Sequence, residues 1–550
     1  MKRVDVVIAG AGLGGVAAAL AALRIGARVL LTEPTDWPGG QLTVQGVPLD
    51  EHPWIESHGC TETYAWFRRL VRGYYREHYP LIARARADLY LNPGLGNVSP
   101  LCHEPRVAVA VLESMLAPFR GSGQLTLRYE CEAIAVETAG DRITAIRFLD
   151  KRTGKEFAAT GSYYLDATEL GDLLPLGNVE HVIGSESRDD TGELHALPVA
   201  NPGDQVAIAW GFALDYRAGE SHVIDRPAEY DFWEAYRAAF RPARQLSWHD
   251  QDPISGEQFD HGLFEGAPSA GREPLWNFRR LLCRDLFEPG FIESDVTMVY
   301  WPQNDYWLRP IVDANSSTSE EALDGAKGLS RSLLYWLQTE APRPDGKAGY
   351  PGLRLRPDIT GTSDGFVKHP YAREGRRIVG EFRILEQHVG VEARSGVEGA
   401  QVFHDSIGIG SHRLDLHPST GPRAYVDLAH WPFQIPLGAL LPVRLENLLP
   451  ACKNIATTHV TNSAYRFQPV EWNVGEAAGA LAAFCVGRGA QPRQVHRDRA
   501  LLGEFQSLLA DHLGVPLAWP AYRPYGRHFH GPWRKLYPMS GAAALGNLGG

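Results

Sequence analysis

The stretch that most constrains this chain is VDVVIAGAGLGGVAAALAALRIGARVLLTE, residues 4–33. Val4 to Ala9 is a short run rich in β-branched residues, the pattern of a strand buried in a parallel sheet. Gly10, Gly12 and Gly15 follow in GxGxxG register. An alanine-rich helix closed by Gly26 comes next, and then a second strand ending in Glu33. Each part has a task in a dinucleotide site. Gly10 permits the tight turn, Gly12 lets backbone approach a pyrophosphate, and Gly15 packs helix on strand. The helix N-terminus favours the phosphates, and the Glu33 carboxylate can take two ribose hydroxyls. No nearby arginine replaces that acid, which disfavours a 2′-phosphate.

The residues after Glu33 separate one dinucleotide from another. EPTDWPGGQLTVQG carries a Gly39-Gly40 pair where NAD enzymes usually proceed to a helix. Such a pair brings backbone against the ribityl side of a flavin, so the expected cofactor is FAD. Gly14, Gly39, Gly40, Gln41 and Asp166 join Gly10, Gly12, Gly15 and Glu33 in the expected binding set. No second GxGxxG unit appears, which leaves one dinucleotide site. Residues 34–51 contain no His or Cys, so a non-covalent flavin is expected.

Bulk properties narrow the class. At 550 residues the chain exceeds what one core usually serves, and two domains are expected. Its formal charge of -11 and lack of a basic block argue against nucleic acid or an anionic membrane as partner. The six cysteines contain no CxxC pair, which disfavours a redox dithiol, a zinc ribbon or a ferredoxin-type cluster and fits a reducing compartment. No apolar run reaches the length of a membrane span. Asp5 and the glycine motif make the N-terminus structure rather than a signal peptide. A cytoplasmic protein with a small-molecule substrate is expected; the electron acceptor, O2 or another, and any oligomer stay open.

The expected class is α/β: a Rossmann-type FAD-binding domain with a β-meander, plus an inserted α+β substrate or cap domain. Residues 1–176 form the first part of the FAD domain. The meander starts near GQLTL and leads to the strand YYLDAT. Residues 177–431 lose the βαβ rhythm and are rich in Trp, Tyr, Pro and His; they form the cap. Residues 432–514 complete the FAD domain, and 515–550 make an irregular C-terminal arm with mobile last residues.

These motifs resemble the FAD-dependent oxidoreductases of the glutathione-reductase-like superfamily, in the branch related to fumarate reductase flavoproteins. Many bacterial members carry labels such as xanthan lyase. The resemblance rests on GAGLGGVAAALAA, PGGQLT, LCHEPRVA, DATELGDLLPL, WPQNDY, GTSDGFVKHPYAREGRRIVGE, DSIGIGSHRLDLHPST and NLLPACKNIATTHVTNSAYRFQPVEWNVGEAAG. It covers most of the chain and is specific for fold and cofactor, not for substrate. Two departures stand out: Glu169, where many relatives have Gly, and Ala372, where many have Ile.

In the fold so implied, the helix starting near Val470 points its N-terminus at the flavin's pyrimidine end. Amides near Asn473 and Val474 would donate there, and Gly475 and Gly479 would let the helix come close, to the flavin or to its own sheet. Substrate would lie over the ring, within reach of the catalytic candidates His459, Tyr465, Arg466 and Glu471, and of Asn462. His459 is the candidate base. Arg466 could hold a carboxylate or an oxyanion, and Tyr465 a proton. In the cap, His417 is a candidate substrate contact, and Asn304, Asp305 and Tyr306 are expected to face the cleft. Arg373, Arg376 and Arg377 are read mainly as structural ion pairs with Glu374 and Glu381. His412, Asp415 and His417 match no zinc spacing, and no metal is expected.

The leading expectation is a dehydrogenase or oxidase moving a hydride from a polyfunctional substrate, such as a sugar derivative or natural-product intermediate, to flavin N5. Reduction of an activated alkene and flavin monooxygenation are the alternatives.

Overall fold

The computed structural model describes residues 3–265, 273–313, 315–421 and 425–520. Of the expected C-terminal arm, everything beyond Pro520 lies outside the described residues.

Short, fully apolar strands make the centre. β1 (Val6–Ala9) and β2 (Val29–Thr32) are buried at every position and pair in parallel. β3 (Leu125–Arg128) continues the sheet beyond β2. The run at Leu125, read from sequence as the start of the meander, therefore belongs to the parallel sheet, because Val29 takes Leu125 as its register partner. The meander proper is β4 (Cys131–Ala139), β5 (Arg142–Asp150) and β6 (Lys155–Ala159), an antiparallel sheet of its own. β7 (Tyr163–Asp166) returns to the free side of β1, and β8 (Leu448–Pro450) flanks it. The order is β8-β7-β1-β2-β3, so the chain leaves this sheet after β7 and rejoins it some 280 residues later.

Helix α1 (Leu13–Arg24) is buried from Leu13 to Leu23. The chain after β8 forms α2 (His459–Tyr465) and α3 (Gln468–Arg488). The polar stretch preceding the expected helix is thus largely helical itself. Thr458 caps α2 by accepting the Thr461 N–H at 3.1 Å, and Pro469 occupies the first turn of α3, where a missing N–H costs nothing. Helix α3 begins at Gln468, two residues before the expected start. Its Gly475 and Gly479 lie against α1: a Cβ on either would stand closer than 3.0 Å to the backbone of Gly14 or Ala18.

The intervening segment builds antiparallel sheets. Four strands run in the order Arg280–Leu282, Val296–Val299, Phe212–Tyr216, Leu353–Leu355. Three short ones, Asp305–Tyr306, Ile208–Ala209 and Tyr371–Ala372, form a second sheet. The 24-residue helix Ser316–Thr339 joins their aromatic core through Leu329, Leu333 and Trp336. No described helix is long and apolar enough to cross a membrane.

Candidate cofactor and substrate site

At the C-terminal ends of β1, β2 and β7 the chain forms a glycine cradle. Gly10 has φ +94°, and a Cβ there would meet the Ala167 carbonyl at less than 3.0 Å. A Cβ on Gly12 would meet only Glu471 Oε1 at 3.5 Å and the Ala167 oxygen at 3.8 Å, ordinary contact distances. Gly39 and Gly40 fold over this turn. The Gly39 N–H donates to the Ala11 carbonyl at 2.7 Å, and Gly40, with φ +46°, lies 3.0 Å from the Gly12 Cα, measured from its own Cβ position.

Three carboxyl groups surround the cradle. Glu33 accepts the Ala11 N–H at 3.0 Å and the Thr35 hydroxyl at 2.8 Å. Asp166 accepts the Thr168 hydroxyl at 2.6 Å through Oδ1, while its buried Oδ2 has no partner. Glu471 accepts the Gly14 N–H at 3.2 Å and the Gln41 side-chain amide at 2.5 Å. Burial pushes each of the three up to about 7.

The donor set fits a flavin dinucleotide. The bare backbone of Gly12 and the first-turn N–H groups of α1 suit the phosphates, and Glu33 at the end of β2 suits a ribose. Buried polar atoms without partners remain at Asp166 Oδ2, Gln41 Oε1 and Gln468 Nε2 for the rest of the molecule.

Beyond the cradle, α2 presents one face to a narrow cleft, too tight in this structure to hold a water molecule. His459, Asn462, Ser463 and Arg466 line it at the i, i+3, i+4, i+7 spacing of a single helix face. Glu374, Asp415, Leu416 and Val206 line the opposite side. The His459 Nδ1 faces Glu374 Oε2 at 2.9 Å, and its Nε2 is buried without a partner. Glu374 is held in turn by Arg377, which also bonds Glu186 at 3.1 Å and the Gly184 carbonyl at 2.6 Å. The Glu186 carboxylate accepts the His459 backbone N–H at 2.8 Å. The imidazole is therefore fixed at both backbone and ring.

Arg466 is already engaged: it donates to the Tyr371 hydroxyl at 2.5 Å and to Asp415 Oδ2 at 3.3 Å. Burial alone would raise the Asp415 carboxyl, but His417 and Arg466 hold it well below the usual carboxylate range. His417 places Nδ1 2.6 Å from Asp305 Oδ2, and Asp305 also takes Arg373 at 2.8 Å. The ion partners expected for the arginine-rich turn are redistributed. Arg377 does pair with Glu374, but Arg376 reaches Asp172 and Asp313, and Glu381 pairs with Arg493, Arg497 and His496. Of the trio His412, Asp415 and His417, His417 lies 3.6 Å from Asp415, which also accepts from the Tyr425 hydroxyl, while His412 turns to Asp50 at 3.4 Å.

Five expected residues lie away from the cleft. Tyr465 falls off the lining face of α2, and its hydroxyl donates to the Gln434 carbonyl at 3.0 Å. Glu471 belongs to the cradle, because a helix starting at Gln468 turns Glu471, Gly475 and Gly479 toward α1 at i, i+4, i+8. Asn473 and Val474 lie past the first turn of α3, where N–H groups have intrahelical acceptors. The Asn473 side chain ties α3 to the strand Ser406–Gly410, accepting the Ile409 N–H at 3.0 Å and donating to the Ile407 carbonyl at 3.3 Å. Asn304 likewise serves the backbone, accepting the Trp301 N–H at 2.9 Å. Of the residues lining the cleft, Glu374 was read from sequence only as an ion partner, and Val206, Leu416 and Ser463 were not singled out.

Over residues 5–509 the chain matches the model of the FAD dependent oxidoreductase family. It belongs to that family. FAD is its cofactor and it is an enzyme. No curated protein sequence matches it. Among solved structures, the anhydrotetracycline hydroxylase OxyS from Streptomyces rimosus is 11% identical over 93% of this chain and 67% of its own, with a TM-score of 0.32. A geranylgeranyl bacteriochlorophyll reductase-like protein from Thermoplasma acidophilum is 8% identical over 94% and 85%, with a TM-score of 0.34. The myxobacterial chondrochloren halogenase CndH is 18% identical over 40% of this chain with a TM-score of 0.22, and the match spans 45% of its length.

The strain at Gly10 gives a direct check on the cradle. Gly10→Ala forces a side chain onto a left-handed turn and into the Ala167 carbonyl. FAD affinity is expected to fall at least about tenfold, read by flavin fluorescence on titration. An unchanged affinity would remove Gly10 from the binding turn.

Proposed function

We propose that this oxidoreductase oxidises a small polyhydroxylated substrate, taking a hydride from a C–H beside an oxygen while His459 removes the accompanying proton. The observation that carries the reading is the Glu374–His459 pair, with Nδ1 held by a carboxylate at 2.9 Å and Nε2 buried and free. FAD, when bound, supplies the hydride acceptor at N5. The chain's own groups do the rest. Glu374 fixes the ring and offsets the charge that His459 gains on taking a proton at Nε2. Once opened to a substrate, the cleft offers the substrate's hydroxyls an acceptor in the unpartnered Asn462 Oδ1. A carboxylate substrate suits it less, since Arg466 is already countered by Asp415 and His417 by Asp305. The same commitments favour oxidation over reduction of a carboxylate-activated alkene. The six unpaired cysteines support a reducing, cytoplasmic setting.

The test is anaerobic bleaching of the flavin by a panel of sugar derivatives, polyols and hydroxylated natural-product intermediates without NAD(P)H. Bleaching by a hydroxylated member is the expected result. A requirement for an external reductant with an alkene substrate, or incorporation of labelled oxygen from O2, would replace this reading with one of the two alternatives.

A further inference from the structure

Glu471 occupies a position that the proposed chemistry does not use. It is 4% exposed, its Oε1 accepts the Gly14 N–H, and that oxygen stands 3.5 Å from where a Gly12 Cβ would be. A carboxylate thus sits on the first turn of α1, beside Gly12. The same N–H groups and the same positive helix end are what a diphosphate seeks. Gln41 holds the carboxyl in place from the overlying Gly39-Gly40 turn.

Two charged groups face it. Glu169 follows β7 and Lys453 follows β8, with the Cys452 thiol beside them. Lys453 pairs with Glu169 and donates to the Ala372 carbonyl at 2.6 Å. Its ammonium is therefore spent on the two positions at which this chain departs from many of the proteins it resembles, and is only partly available to keep Glu471 ionised.

We infer that Glu471 governs how firmly this chain holds FAD: its carboxylate competes with the cofactor's diphosphate for the α1 N-terminus, and protonation removes the competitor. Burial first, and Glu169 second, push its carboxyl up to about 7, so both forms are accessible near neutrality. The sign follows. If the diphosphate binds beside the acid form, binding takes up a proton once pH exceeds that value. FAD affinity then falls as pH rises above about 7, by at most about tenfold per unit, and Glu471 contributes no slope in the acid range.

The test is the rate of FAD release from the holoenzyme, followed by recovery of flavin fluorescence on dilution between about pH 6 and 9. Release from the unaltered protein should accelerate above neutrality. Glu471→Gln keeps the shape, removes the charge, and should release FAD more slowly at the alkaline end with a slope flat to within about twofold. A variant that follows the unaltered profile overturns the inference and moves the slope to Glu33 or Asp166, which are also raised to about 7. Phosphorus NMR of the bound FAD covers the case in which the variant does not fold. The diphosphate signals of the unaltered holoenzyme should shift with a midpoint displaced above about 7, because the bound diphosphate disfavours the carboxylate, and a midpoint at or below about 7 overturns it. Neither readout depends on turnover, so the outcome is separable from that of the substrate panel.

Discussion

His459→Gln is expected to lower the rate of anaerobic flavin reduction by a bleaching substrate about 10²- to 10⁴-fold, the range a positioned general base supplies. Glutamine fills most of the same space and can still donate to Glu374, but it cannot take a proton near neutral pH. The fold should survive, because the His459 backbone N–H keeps its bond to Glu186 and α2 keeps its Thr458 cap. Glu374→Gln tests the same unit from the other side. Arg377 retains Glu186 and the Gly184 and Thr457 carbonyls, so the guanidinium is not stranded. The variant should lose rate with little change in substrate affinity. If both variants stay within about threefold of the unaltered enzyme, far below what a general base contributes, His459 is a buried structural histidine and the proton leaves by another route.

The residues of that unit were unequally legible in the sequence. The cradle was readable because GxGxxG, its flanking strands and Glu33 lie within 30 residues, and local conformation alone dictates the glycines. The cleft was readable in part. His459, Asn462 and Arg466 were singled out as polar groups near a helix mouth, and helical spacing within 459–466 would have set Tyr465 apart from them. The start expected near Val470 leaves residues 459–466 outside the helix, so that spacing is not applied to them. Glu374 was not readable as the partner of His459: 85 residues separate them, and three arginines crowd it in sequence. Only the pairing of Arg377 with both Glu374 and Glu186 brings it against the ring. Glu471 was expected near the helix mouth; only the packing of α3 on α1 shows that it faces Gly14.

Gly475→Val is expected to cost about 3 kcal/mol or more of stability and to release FAD as well. The atoms in the way are the Gly14 oxygen, carbonyl carbon and Cα. They are backbone, so no rotamer change relieves the clash. Either α3 must move off α1 or the glycine turn itself must deform, and α1 is buried nearly throughout. Because Gly14 lies inside the cradle, the packing fault and the cofactor fault are one event, and added FAD should restore little of the lost melting temperature. Gly487 in the same helix supplies the contrast. A Cβ there meets nothing within 4 Å, so Gly487→Ala should gain about 0.5–1 kcal/mol from helix propensity alone. Thermal melts with and without FAD would separate the two sites. If Gly475→Val melts within a degree or two of the unaltered protein, α3 does not depend on a bare face to reach α1, and the small residues from Gly475 to Ala483 need another explanation.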